Sequence, residues 1–200
     1  NKTSYQSHGI WFARHGYICS IVDSLQLGEI TGIHHDSSGD NKLRQRLPSG
    51  IVTQNAVGNV VWNQVKDLLT DDTEQTRLIY SSDIVNNKLI IKKYKNIRKK
   101  NFIFKKGKKN PLLVVNRGYG KGLYKFNYCL INMDKEYLIE NHLICIEYKN
   151  KINKNNLIKL YEKIIKSFNS IETQKFISLY FGNNAINTTE LQYILPIYLE

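Results

Sequence analysis

Fourteen of the chain's 29 lysines and arginines fall between Ile84 and Met133, a stretch that holds none of its 17 acidic residues. The rest of the chain carries fifteen basic and seventeen acidic side chains, so the net charge of +12 comes from one patch in sequence. The densest parts are Lys92-Lys93, Arg98-Lys99-Lys100, Lys105-Lys106 and Lys108-Lys109, interleaved with Tyr94, Phe102, Phe104, Tyr119 and Tyr124. Lysine and arginine displace counterions from phosphates, and aromatic rings stack on exposed bases. Arg98 and Arg117 could in addition read guanine edges in a major groove. The chain's abundance of Lys, Asn and Ile is what an AT-rich genome favours, and such drift would supply some of the lysines. It does not empty fifty residues of acid, so the pattern points to a polyanionic partner.

Arg117-Gly118-Tyr119-Gly120-Lys121-Gly122 follows a strand-like run and has the glycine content of a phosphate-cradling loop. Such a loop must open a helix, whereas Leu123 opens an alternating, strand-like stretch that includes Lys125. The segment is better suited to a hairpin tip that carries Arg117, Tyr119 and Lys121 into a nucleic-acid groove. Other candidate chemistry is sparse. Asp71, Asp72 and Glu74 could bind magnesium as in a small nuclease, but a carboxylate cluster on a turn is usually solvent-facing. His34-His35-Asp36 lies in a polar, turn-rich stretch and reads as an exposed loop rather than a metal site. His15 and His142 stand alone in sequence, with no His–carboxylate pair at a useful spacing. Cys19, Cys129 and Cys145 are odd in number and far apart, which suits buried small hydrophobes in a reducing cytoplasm better than a disulfide framework or a zinc site.

The elements that must position these residues are short. His8 to Thr31 alternates brief apolar runs with glycines, as strands and turns do. Trp62, Val65 and Leu69 recur at helical spacing and predict a short helix ended by Asp71-Asp72-Thr73. Leu78-Ile79-Tyr80, Leu89-Ile90-Ile91, Phe102-Ile103-Phe104, Leu112 to Val115 and Leu143 to Tyr148 read as strands. In Leu123 to Asn132, Tyr124, Phe126, Tyr128 and Leu130 share one face. Leu157, Leu160, Tyr161, Ile164 and Phe168 then mark an amphipathic helix. Asn169 or Ser170 can cap a second helix with Phe176, Ile177 and Tyr180, stopped by Gly182. Asn187 to Glu190 has the form of a capping box before Leu191 to Leu195. Strands first and helices last predict an α+β fold: a short-stranded, mostly antiparallel sheet region followed by a C-terminal helical pair, beginning near residue 156. No apolar run is long enough to span a bilayer, and no signal-peptide-like apolar stretch follows Asn1-Lys2-Thr3-Ser4.

Four segments in order resemble the target-recognition region of bacterial N6-adenine DNA methyltransferases from restriction–modification systems, of the type II and fused restriction–methylation kinds. They are Gly58 to Lys66, with Val-Val-Trp-Asn-Gln-x-Lys; Arg77 to Ile84; Pro111 to Gly118; and a C-terminal part through Phe168-Asn169-Ser170, Gln174 to Ile177, Thr188 to Leu191 and Leu195-Pro196-Ile197. Trp62, Asn63 and Lys66 match the family's pattern, with Trp62 better suited to anchoring a core than to stacking on a base. The resemblance implies a DNA-recognition domain over residues 49–200, preceded by a strand and loop segment, 1–48, leading from a catalytic domain. That domain would bind S-adenosylmethionine and hold the flipped adenine with an Asn-Pro-Pro-Tyr motif. No two of Pro48, Pro111 and Pro196 are adjacent, and Asn1 is not an initiator methionine, so the chain is expected to be a piece of the parent enzyme without catalytic groups of its own. The implied partners are double-stranded DNA and the methyltransferase domain of the same parent chain, with Lys92, Lys93, Arg98, Lys99, Lys100, Lys105, Lys106, Lys108, Lys109 and Lys125 on phosphates. An RNA-binding accessory protein is the alternative that the same basic and aromatic residues would serve.

Overall fold

Strands that read as unbroken apolar runs must be covered on both faces, and two such runs build the centre of this protein. In the computed structural model, which describes residues 51–54, 60–118, 125–180 and 185–197, these are β7 (Leu112–Asn116) and β10 (Leu143–Tyr148). They pair antiparallel, flanked by β1 (Ile51–Gln54) and β8 (Tyr128–Ile131), in a sheet of order β1-β10-β7-β8. The chain divides between Arg44 and Gln45, and every described residue lies in the second unit.

Alternate residues of the central strands enter different cores. Leu113, Val115, Tyr128, Ile144 and Ile146 face the C-terminal helices and pack with Leu157, Tyr161, Ile164 and Phe168. Leu112, Val114, Cys129, Ile131, Leu143 and Cys145 face a second sheet. That sheet has the order β2-β6-β3-β9, from Leu69–Thr70 (β2), Phe102–Ile103 (β6), Thr76–Ile79 (β3) and Tyr137–Ile139 (β9). Its pairs are antiparallel except β3 with β9, which run parallel. Ile79 and Ile139 point toward the first sheet, while Leu78, Ile103 and Leu138 join Val60, Tyr80, Trp62 and Tyr94 in a third core on the far face. A two-stranded ribbon, β4 (Ile84–Val85) with β5 (Lys88–Leu89), turns through Asn86 and Asn87 at φ 49° and 61°. Two successive left-handed residues are the signature of a type I′ hairpin, and asparagine tolerates them better than most side chains.

The helices begin where side-chain acceptors satisfy their first amides. Asn153 Oδ1 accepts from Asn156 N at 2.8 Å to open α1 (Lys154–Phe168). Ser170 Oγ accepts from Thr173 N at 3.1 Å to open α2 (Ile171–Tyr180). Asn187 and Glu190 exchange side-chain and backbone bonds of 2.8 Å each, a reciprocal capping box before the π-helical turn Glu190–Ile194. The α+β arrangement matches the expectation from sequence, as do the helical pair and the shared face of Phe126, Tyr128 and Leu130.

Two local expectations are corrected. The stretch from Trp62 forms no α-helix: it makes two 3-10 turns, Trp62–Gln64 and Lys66–Leu68, separated by Val65 at φ −124°, and Leu69 is already in β2. The spacing of Trp62, Val65 and Leu69 serves one core all the same, because tight turns and an extended exit bring the three to the same side. Leu89-Ile90-Ile91 is a strand only at its first residue. Ile90 N donates to Asp83 O at 2.8 Å, closing the ribbon, and Ile91 is 71% exposed. The sequence features read at residues 8–41, Cys19 included, lie outside the described residues, as do Tyr119, Lys121, Tyr124 and Gly182.

Candidate nucleic-acid interface

The acid-free segment enters the fold as an irregular loop, residues 90–101, between β5 and β6. Lys93, Lys95 and Arg98 are exposed on it and Lys92 is half-buried. None of the four has a carboxylate within ion-pair distance among the described residues. Ile91 and Ile97 stand out between them, 71% and 79% exposed.

A buried polar network clamps both ends of this loop. Asp83, fully buried, accepts from Arg77 Nη2 at 2.9 Å, from Tyr80 N at 3.1 Å and from the Tyr94 hydroxyl. Arg77 Nη1 in turn donates to Asn101 O at 2.8 Å and to Asn101 Oδ1 at 2.7 Å. Asn101 Nδ2 reaches back across the loop to Lys92 O at 3.0 Å, and the Tyr80 hydroxyl donates to Lys100 O at 2.7 Å. Burial pushes the Tyr80 and Tyr94 hydroxyls far above the ordinary tyrosine value, with the Asp83 carboxylate adding to the effect at both. Both therefore stay protonated and able to donate. A basic loop without regular structure is thus fastened to a rigid base, the usual arrangement for a binding loop on a scaffold.

Lys99 differs from its neighbours. Its Nζ lies 4.0 Å from the Tyr80 ring centre, 4.3 Å from Tyr94 and 5.8 Å from Trp62. Tyr80 and Tyr94 meet edge to face, with centres 5.1 Å apart. Burial pulls the Lys99 amine below the ordinary lysine value, while the charges of Glu140 and Asp83 oppose that pull. The ring faces favour the charged form too. Lys66 Nζ approaches Trp62 at 6.0 Å, so Trp62, Lys66 and Lys99 come together, while Asn63 is exposed beside them.

Beyond β6 a second basic turn carries Lys105, Lys106, Lys108 and Lys109, all exposed, next to Phe104 at 54% exposure. Gly107 N donates to Glu136 Oε2 at 2.9 Å, and Lys108 exchanges backbone bonds of 2.9 Å with Tyr137. Lys105, Lys106 and Lys109 line an open cleft of about 630 Å³ that also holds Glu74, Asp134 and Glu136. Lys108 pairs with Glu147 at 3.0 Å, and Lys100 pairs with Asp71. Apart from Lys125, the basic residues expected on phosphates thus fall into three groups. Lys92, Lys93 and Arg98 share one loop; Lys99, Lys100 and Lys108 are engaged within the protein; Lys105, Lys106 and Lys109 face mixed charge.

Arg117 begins the glycine-rich tip, with its N bonded to His142 O at 3.1 Å and its O accepting from Ile186 N at 2.9 Å. Gly118 adopts φ 79°, which favours glycine there. Lys125 is exposed at the other end of the tip, its carbonyl accepting from Asn116 Nδ2 at 2.8 Å. The three carboxylates considered for a nuclease are used separately. Asp71 holds Lys100, Glu74 holds Lys135 at 2.9 Å, and Asp72 Oδ1 accepts from Glu74 N at 3.0 Å, which lowers its pKa. Among the described residues no group of three His, Cys, Asp or Glu side chains could hold a metal ion, and no helix is long and apolar enough to cross a membrane.

Sequence reasoning missed two pairs. Glu140, 2% exposed, lies 2.6 Å from His142 Nδ1, a His–carboxylate pair two residues apart. Arg77 and Asp83 form the buried pair at the loop base. A signal for the second was present: Asp83 is the last acid before the acid-free stretch, and Arg77 precedes three apolar residues of a strand. No family model, curated protein or solved structure matches this chain.

Proposed function

We propose that this unit binds duplex DNA and serves as the target-recognition part of an N6-adenine DNA methyltransferase of a restriction–modification system. The observation that carries the reading is the loop 90–101, with four basic side chains lacking carboxylate partners among the described residues, on an irregular segment whose ends are fixed by a buried network. Lys92, Lys93, Lys95 and Arg98 would meet phosphates, with Arg98, Arg117 and Tyr119 as candidates for contact with bases or the groove. The resemblance at Trp62, Asn63 and Lys66 supports the assignment to that enzyme class. S-adenosylmethionine and the flipped adenine belong to the methyltransferase part of the parent protein, and this chain supplies the choice of site.

The test is duplex binding by fluorescence anisotropy across a salt series. Each phosphate neutralised contributes about 0.9 to the slope of log K against log salt. Replacing Lys92, Lys93, Lys95 and Arg98 together by glutamine is expected to reduce the slope by up to about 3.6. At four contacts, raising salt from about 50 to about 200 mM weakens wild-type binding roughly a hundredfold. Binding that is flat across salt, or unchanged in the quadruple variant, overturns the proposal. Preference for single-stranded RNA over duplex in competition would transfer the site to the RNA-binding alternative.

A further inference from the structure

We propose that Lys99 is a positioning residue that latches the basic loop to the body of the protein, and that it makes no contact with the nucleic acid. The inference rests on the reading of loop 90–101 as the polyanion-binding element and assigns one of its six candidate cations to a different task. Three rings from three places in the chain surround the Lys99 ammonium: Trp62 from the first 3-10 turn, Tyr80 from the end of β3 and Tyr94 from the loop itself. Two of these rings are themselves fixed, Tyr80 by its bond to Lys100 O and Tyr94 by its bond to Asp83. Lys99 N also donates to Asn96 O at 2.9 Å, closing the turn that presents Ile97 and Arg98 to solvent. A cation held in this way ties the turn from Asn96 to Lys99 to the third core. Withdrawing it to reach a phosphate would forfeit contact with three ring faces, each favourable to an ammonium. Among the described residues its neighbours Arg98 and Lys95 have no such partners.

The consequence separates charge from order. A phosphate contact and a latch both lose affinity when the ammonium is removed, but only the contact carries a counterion. In the full chain, Lys99→Met is expected to keep the wild-type salt slope for duplex DNA while weakening binding roughly tenfold, and to speed trypsin cleavage after Lys92, Lys93, Lys95 and Arg98 by a similar factor. Lys99→Arg, which keeps a cation able to sit on the rings, is expected to restore most of both. Arg98→Met serves as the contrast: its slope should fall by about 0.9 with cleavage after Lys92, Lys93 and Lys95 unchanged. A slope reduced by about 0.9 in Lys99→Met with unchanged cleavage would make Lys99 a phosphate contact and overturn the latch. Unchanged cleavage with unchanged binding overturns it as well. The cleavage rates judge the latch even if the wild-type chain fails to bind DNA, so its failure and that of the DNA-binding reading are distinguishable.

Discussion

Replacing Asp83 by asparagine exchanges one carboxylate oxygen for an amide nitrogen in a fully buried site. The carboxylate is fully buried and takes three hydrogen bonds, from Arg77, from the Tyr80 amide and from the Tyr94 hydroxyl. Arg77 is 2% exposed, so in the variant its charge stays buried among neutral oxygens with no carboxylate to compensate it. Removing one member of a buried pair costs about 3–5 kcal/mol, because the remaining charge is left uncompensated. For a unit of this size that corresponds to a fall in melting temperature of about 6–20 °C. The assay is thermal and urea unfolding of the full chain, with the m-value as a check that the unfolded state is unchanged. The double variant Arg77→Met, Asp83→Leu completes the reasoning. It removes both charges at similar volume and should recover part of the stability, since an apolar pair often replaces a buried ion pair at little cost while the Tyr80 amide and Tyr94 hydroxyl lose their acceptor. It also lacks the bonds from Arg77 to Asn101 and from Tyr94 to Asp83 that hold the loop. Stability partly recovered with loop order lost, seen as faster trypsin cleavage within residues 92–98, is the expected result. An Asp83→Asn variant within about 1 kcal/mol of wild type would refute the argument from burial.

Two further outcomes are expected. Tyr80, Tyr94, Tyr137 and Tyr161 all have hydroxyls pushed upward by burial, so the folded state holds these protons more tightly than the unfolded chain. Stability from this source is complete below about pH 10 and declines as pH rises beyond it. In an absorbance titration these four should ionise only as the protein unfolds, and their free ionisation in the native state near pH 10 would contradict their burial. Gly107→Ala would place a Cβ 2.6 Å from Tyr137 O and 2.7 Å from Thr76 Cγ2, against backbone that is itself paired. A loss of about 1–3 kcal/mol is expected on urea unfolding, and a neutral substitution would show that the turn carrying Lys105 to Lys109 can shift.

The fold was legible where one face of an element sees one environment. Leu157 through Phe168, the Asn187–Glu190 box and the shared face of Phe126, Tyr128 and Leu130 follow from periodicity and capping alone. Trp62, Val65 and Leu69 misled because two 3-10 turns and an extended residue can gather side chains that a helix would also gather, and spacing does not tell these apart. Phe102–Ile103 was legible as a strand, but the two-residue strand β2 and the parallel strand β9 depend on partners far away in the chain, which no local pattern reveals.

The basic segment shows the same division at the level of the site. Its composition pointed to a polyanionic partner but ranked all its lysines alike, because counting charges ignores their partners. The fold sorts them: Lys100 and Lys108 meet Asp71 and Glu147, acids from outside the acid-free stretch, and Lys99 meets aromatic rings. An exposed ion pair of this kind contributes little to stability, so Lys100 and Lys108 could exchange their carboxylates for phosphates at small cost. Lys99 would surrender three rings in the same exchange. The residue in the midst of the most basic run, Arg98-Lys99-Lys100, is therefore the one whose charge is directed inward, and the loop's ability to present the others depends on it.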